Sequence, residues 1–473
     1  MTLLMASAEF HVTNSPQLTK LDRQVATRPT SQGRRFKAIV YLMLQGGLDS
    51  WNLVIPHQGC GNENVTSYAQ YQRIREGSAL QQDEVHPIHV RNGSKNYEVC
   101  STFGVHPDFP LLAELYAAGE AVVLVGTGTL IEPLTKTQYS EKTRRIPDSV
   151  FAHNVQQRIT MAVHDPQNAR GVLGRMVDIL TGVDMGGSDA SPPPAPASPP
   201  PTPYAAAAYS MSGVAKALDG SIAPNMVNAK EGAVQFTEAA TYAEPIANMS
   251  RAARRSVFAE TYSASLETAL SASKRLADAY NRVPALSATF PTSQPGREFE
   301  YVAKTIAARE LLGEERQVFY VQYNGFDTHS SLLDQVATKM ASINQALVAF
   351  SSEMKALGVW NDTLVVEASD FGRTINTNGA GTDHAWAGSY FMMGGGLRGG
   401  QMVGEYPATL DEDSPTRLKG GRFLPTTPWE SPWNAIADWF GVPQSQIGSM
   451  LPNAANFGDS LLTRSQLFKD DQQ

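Results

Sequence analysis

The pair Asp327 and His329, in GFDTHSSLLDQ, lies between an alternating stretch, QVFYVQYN, and a run of apolar residues at helical spacing from Leu332 to Leu357. A strand followed by a helix places the pair on the turn at a strand's carboxyl end, where open α/β sheets bind ligands. The pair also reads as a helix cap, because Asp and Thr oxygens satisfy the free N–H groups of a first turn. Two more apolar runs end in aspartate: QGGLDSWN delivers Asp49 and EASDFGRT delivers Asp370, while His384 stands beside Asp383 in GTDHAWAG. Carboxylates gathered on one rim repel one another, and a bound cation relieves the repulsion. Three aspartates with two histidines favour zinc, manganese or iron over a hard-ion cage of calcium or magnesium, and suffice for one or two divalent ions. Paired ions suit displacement at phosphorus, and sulfate esters offer a similar tetrahedral target. Arg373 is a candidate to hold a non-bridging oxygen through its planar fork, or to pair with a carboxylate. Thr127 and Thr129 in VGTGTL, and Ser50, are candidate nucleophiles, although Gly-Thr-Gly-Thr is also ordinary turn chemistry. His153 and His106 are candidates for the cleft wall, or for buried histidines bonded to backbone.

These residues need elements to converge. FKAIVYLML at 36–44 is a continuous apolar run of the kind found in strands covered on both faces. A helix is predicted within HPDFPLLAELYAAGEA at 106–121, then a strand in AVVLVGT, helix around 250–283, strands over 317–324 and 363–369, and another in YFMMGGG at 390–396. Alternating strands and helices predict an α/β fold, a three-layer sandwich with a mainly parallel central sheet. Its parts are a polar leader over 1–35, a single domain over 36–465 with a Pro-rich, mobile surface insertion at about 184–204, and a polar tail over 466–473.

The chain has 473 residues and a formal net charge of −8 with its charges interspersed, so it lacks the basic field that nucleic-acid binding needs. Its longest apolar run, AIVYLML, is far short of the roughly 20 residues that cross a bilayer. The first 35 residues hold no stretch apolar enough for a secretory signal. Cys60 and Cys100 flank HVRNGSKNYEV, a hairpin-like segment with Asn-Gly at its turn, and read equally as a disulfide or as two thiols. Sequons begin at Asn64, Asn92, Asn248 and Asn361. Together these features point to an extracytoplasmic or secreted protein.

GGLDSWN, FGVHPDFPLLAELYAAG, FAHNVQQ, GFDTH, SDFGRT, GTDHAWAG and LPTTPWESPWNAIADWFGV, in that order from about Arg34 to Phe457, resemble successive blocks of a mostly bacterial family of exported proteins grouped with the alkaline phosphatase and sulfatase superfamily. The resemblance implies an alkaline phosphatase-like fold with a di-metal site at the carboxyl edge of the sheet. By motif, Asp49 and Asp370 would hold one ion, and Asp327, His329 and His384 the other. Arg34-Arg35 resembles the relatives' twin-arginine export signal. Two departures stand out: where relatives commonly read Phe-Ser-His-Asn-Asp-Gln-Gln, this chain has Ala152 and Val155, and where phosphatases place a histidine after the aspartate, it has Phe371. The resemblance implies a metal-dependent hydrolase of small-molecule or glycan-linked phosphate or sulfate esters. The alternative is a non-catalytic relative that binds an anionic or glycan ligand in the same cleft.

Overall fold

The computed structural model of the chain describes residues 29–61, 65–163, 170–183, 202–233 and 257–470, with positions 241, 242, 244–246 and 248. Residues 1–28 of the expected leader, 184–201 of the expected insertion, Asn64, and 471–473 of the tail lie outside the described residues.

Strand β1 (Lys37–Gln45) is the axis of the molecule. Ala38, Val40, Leu42 and Leu44 enter one core, while Ile39, Tyr41 and Met43 enter the other, so the uninterrupted apolar run is a strand buried on both faces. It pairs in parallel with β9 (Arg316–Asn324) on one side and β10 (Thr363–Ser369) on the other. The ten-stranded sheet continues past β9 through β6 (Ala206–Ser210), β7 (Asn225–Asn228) and β8 (Gly232–Ala233). Past β10 come β13 (Gly388–Met393), β5 (Ala121–Gly128) and β14 (Gln401–Gly404), with the short strand Thr427–Pro428 also on β5. Only β13 and β8 run antiparallel to their neighbours, so the expected α/β class with a mainly parallel sheet is the one observed.

Helices cover both faces. The first core takes α2 (Pro110–Ala117), α6 (Gln294–Ala307) and α7 (Leu332–Ala356), through residues such as Leu112, Phe299, Ile306, Met340 and Phe350. The second takes α3 (His153–Ala162), α4 (Val172–Thr181) and α8 (Glu430–Phe440), through Met161, Met176, Trp433 and Phe440. Each such side chain removed from water contributes roughly 1.5–3 kcal/mol of transfer free energy, and this holds three layers together. Helix α1 (Tyr68–Arg75) and α5 (Val257–Tyr280) lie in the long excursions between strands.

A small antiparallel sheet joins β2 (Val54–Cys60), β4 (Cys100–Val105) and β3 (His86–His89). The segment expected to turn at Asn-Gly does pair His89 with Thr102, yet Lys95–Val99 forms a short helix between the strands, started by the Ser94 side chain accepting from the Tyr97 N–H. Cys60 and Cys100 face each other across β2 and β4 and form a disulfide. Arg34 pairs with Glu315 at 2.7 Å and Arg35 with Asp362 at 2.6 Å, so the twin arginines tie the segment before β1 to the residues that open β9 and β10. In the expected polar tail, Leu467 and Phe468 are buried, and Phe468 stacks on Trp439 at 4.8 Å.

Candidate metal centre

Because β10, β1 and β9 are parallel neighbours, their carboxyl ends share one rim. Beyond β1 the chain turns through Gly46 and Gly47 at φ +122° and +82°. A side chain at Gly46 would lie 2.4 Å from the Asp327 nitrogen, and one at Gly47 would lie 2.6 Å from the Phe371 ring, so glycine is what lets three strand ends close together. Buried Phe326 anchors the turn after β9 in the first core and leaves Asp327 and His329 about half exposed. The antiparallel strands β11 (Arg373–Thr377) and β12 (Thr382–His384) bring His384 opposite Arg373, and His153 opens α3 above the end of β10.

Four donors meet there. Asp327 Oδ1 lies 3.0 Å from His329 Nε2, 3.3 Å from His384 Nε2 and 3.4 Å from His153 Nε2. His384 Nε2 is 3.1 Å from the Nε2 of both His153 and His329. His153, Asp327 and His384 offer donor atoms that all lie within 4.8 Å of one another. The outer ring nitrogens are held: His153 Nδ1 by Asp370 Oδ2 at 2.7 Å, His384 Nδ1 by the Phe151 carbonyl at 2.8 Å, and His329 Nδ1 lies 3.5 Å from Asp383 Oδ1.

An imidazole that donates from Nδ1 to an oxygen turns its Nε2 lone pair outward. Lone pairs facing one another around a carboxylate oxygen repel until a proton or a cation lies between them. The separations among His153, Asp327 and His384, 3.1, 3.3 and 3.4 Å, match three edges of a tetrahedral nitrogen and oxygen shell around zinc, about 3.3 Å for bonds of about 2.0–2.1 Å. The residues present therefore fit a single divalent ion, with His153, Asp327 and His384 as the donors and His329 Nε2 beside two of them. The hydrogen bond and charge of Asp370 raise the His153 pKa, whereas burial lowers that of His384. Burial alone would raise Asp327, but Arg373, His153 and His329 bring it down to about 2.

Other expected site residues go elsewhere. Asp49 is fully buried on Arg75, its pKa raised by burial against the pull of that guanidinium, and it is not part of the donor grouping. Asp370 is sealed beneath α3 and reaches the cluster only through His153. Of the pair expected to hold one ion, Asp49 is thus bonded to Arg75 and Asp370 to His153, and each keeps one buried oxygen, Oδ1, without a hydrogen-bond partner. Arg373 is fully buried and committed: Nε donates to the Gly47 carbonyl at 3.0 Å, Nη1 to the Thr382 carbonyl at 2.8 Å, and Nη2 to the Gly46 carbonyl at 2.5 Å and to Asp327 Oδ1. Four of its five N–H groups are thus taken, and the fifth, on Nη1, lies on the side of His329 Nε2, 3.5 Å away. β5 is two strands from β10, and neither threonine bonds to a cluster histidine, although Thr129 contacts Gln156 and Trp386 nearby. Thr127 is buried with its hydroxyl on the Val125 carbonyl, and Thr129 donates to Gln156 Oε1 at 2.6 Å. His106 is a buried histidine accepting the Asp108 N–H, its pKa lowered by burial to about 4.

Sequence reasoning missed Arg75, whose place at the end of a polar helix, YAQYQRIR, gives no sign of burial. It also missed the Phe151 carbonyl, which backbone position alone supplies. Phe371, noted only as a departure, packs its ring 4.7 Å from His153 and 4.9 Å from His384.

Fold and site together define an α/β protein with a histidine-rich carboxylate cluster at the carboxyl edge of a mainly parallel sheet. Residues 36–420 match the family described as Protein of unknown function (DUF1501), and the chain belongs to that family. No curated protein matches it. Among solved structures it is similar to the lipoteichoic acid synthase LtaP of Listeria monocytogenes, at 8% identity over 90% of this chain and 77% of that one, with a TM-score of 0.31. It is also similar to a protein of glycosaminoglycan metabolism from Bacteroides thetaiotaomicron (12% identity, 93% and 78% covered, TM-score 0.35). A third is the PsFucS1 sulfatase of Pseudoalteromonas (10% identity, 78% and 64% covered, TM-score 0.30). Likenesses this remote carry no weight for the chemistry of the site.

Proposed function

We propose that this chain is a metal-dependent hydrolase of phosphate or sulfate esters, acting on a small-molecule or glycan-linked substrate. One observation carries the reading: the Nε2 atoms of His153 and His384 and Asp327 Oδ1 lie within 4.8 Å of one another on an open rim, with the outer nitrogens of both rings locked by Asp370 and the Phe151 carbonyl. A divalent ion bound there, zinc first among the candidates, would polarise an ester oxygen and lower the pKa of a coordinated water. His153 and His384 orient the centre, Arg373 holds Asp327 ionised, and the Phe371 ring keeps water from one side. With Ala152 at the head of α3 and both threonine hydroxyls committed, water is the attacking group in this reading. Ala152 at the head of α3, where a serine would have offered a hydroxyl beside His153, favours a second reading, a non-catalytic protein that binds an anionic or glycan ligand at this rim. An extracytoplasmic location is supported by the Cys60–Cys100 disulfide, and no helix among the described residues is long and apolar enough to cross a membrane.

Elemental analysis of the purified chain, followed by aryl phosphate, phosphodiester and aryl sulfate substrates, tests the proposal. Metal should be present, and at least one ester should be hydrolysed. Asp327→Ala and His384→Ala should each lower metal content and thermal stability together, because the remaining donors lose their counter-ion. Metal without turnover on any ester would favour the binding protein, and unchanged metal in both variants would refute the site.

A further inference from the structure

Resting on the metal reading above, we propose that the centre takes one divalent ion and that the fixed guanidinium of Arg373 supplies its second positive charge. Three features around the rim carry this. Asp49, the carboxylate that a second ion would need, is bound by Arg75, and both side chains are wholly buried. Its other oxygen, Oδ1, has no hydrogen-bond partner, as is also true of Asp370 Oδ1, and neither acid belongs to the grouping of three donors found among the described residues, His153, Asp327 and His384. Between the Gly46–Gly47 turn and the histidines lie the Phe371 ring, which offers no lone pair, and Arg373, whose Nη1 is 3.5 Å from His329 Nε2.

Charge balance points the same way. Asp49 and Arg75 neutralise each other. Around the histidines, Asp327 and Asp370 face one guanidinium, so with neutral imidazoles one negative charge is left over. One divalent ion, with the exposed Asp383 beside His329, brings the group to neutrality. A second ion would leave two uncompensated positive charges next to a buried guanidinium, an arrangement that desolvation strongly disfavours. Arg373 is a positioning residue here: it points Asp327 at the ion and occupies the coordination that another ion would require.

The test is stoichiometry. The full chain is stripped with a chelator, dialysed, titrated with zinc chloride and analysed for bound zinc after gel filtration. One equivalent per chain is expected in the wild type and in Asp49→Asn, and less than about a tenth of an equivalent in His384→Ala. Two equivalents in the wild type, or loss of zinc in a folded Asp49→Asn, would overturn the single-ion proposal while leaving a metal centre in place. Wild-type protein that keeps no zinc would remove the metal reading itself. Asp49→Asn strands the buried Arg75 charge, so Asp49→Leu combined with Arg75→Met, which removes both charges, serves as the second variant and should also bind one equivalent.

Discussion

His153 shows how one side chain joins two layers of the molecule. It belongs to α3, yet its Nδ1 rests on Asp370 from the end of β10 and its Nε2 faces Asp327 from the end of β9. Asp370 thus acts through His153, fixing ring orientation and tautomer. Asp370→Asn keeps shape and an acceptor but removes the charge, so the His153 pKa should fall toward its ordinary value. Zinc affinity should drop about 10-fold, the low end of what such partners contribute. Chelator-competition titration, with imidazole pKa values from NMR, checks both. An unchanged affinity would show that the Asp370 carboxylate does nothing for the ring.

Among elements, the small sheet of β2, β4 and β3 flanks the main core, contributing Val54, Ile55, Phe103 and Val105 to it, and the disulfide pins the outer end of that sheet. The bridge spans a sequence separation of 40, for which the chain-entropy model gives about 4 kcal/mol. Reduction, or Cys60→Ser with Cys100→Ser, should lower the urea midpoint accordingly. Bound zinc should not change, because β2 and β4 supply none of the donors. If zinc were lost at full folding, the small sheet would have a part in the site that its position does not suggest.

At the scale of the whole molecule, buried acids set the pH response. Burial raises Glu298, at the start of α6, from 4.5 to about 7 against hydrogen bonds from Gln294 and Ser212, and raises Glu430, at the start of α8, to about 7. Their folded forms keep a proton that the unfolded chain gives up near 4.5, so this stability is complete below pH 4.5 and declines up to about pH 7. Glu315 is opposite: burial would raise it, but Arg34 and three backbone N–H groups hold it at about 2, and its contribution is lost as pH falls from 4.5 to 2. His106, lowered by burial from 6.5 to about 4, acts against the two raised acids, since its contribution is lost as pH falls from 6.5 to 4; the net curve between pH 4.5 and 7 is therefore shallow, and single variants separate the parts. Glu298→Gln should flatten the neutral side, gaining about 2–3 kcal/mol at pH 8 relative to pH 4.5 when compared with wild type. Parallel pH profiles of the two proteins would show that Glu298 titrates normally in the fold.

Local pattern determined much of this architecture. The doubly buried run at β1, the alternation of β9, the apolar close of β10 and the long stripe of α7 specify their elements within a residue or so, because periodicity records which faces meet water. Parallel neighbours then put Asp49, Asp327 and Asp370 on one rim, and the motifs singled out His329 and His384 beside them. Tertiary structure alone decided which of these groups face one another. Whether Asp49 turns to the rim or to Arg75 depends on a helix arriving 26 positions later. Whether Asp370 meets solvent or His153 depends on how α3 lies across the sheet, and whether Arg373 is free depends on carbonyls from the Gly46–Gly47 turn and Thr382. Side-chain direction at a strand end is set by packing against distant segments, and a single chain's periodicity carries no record of those partners.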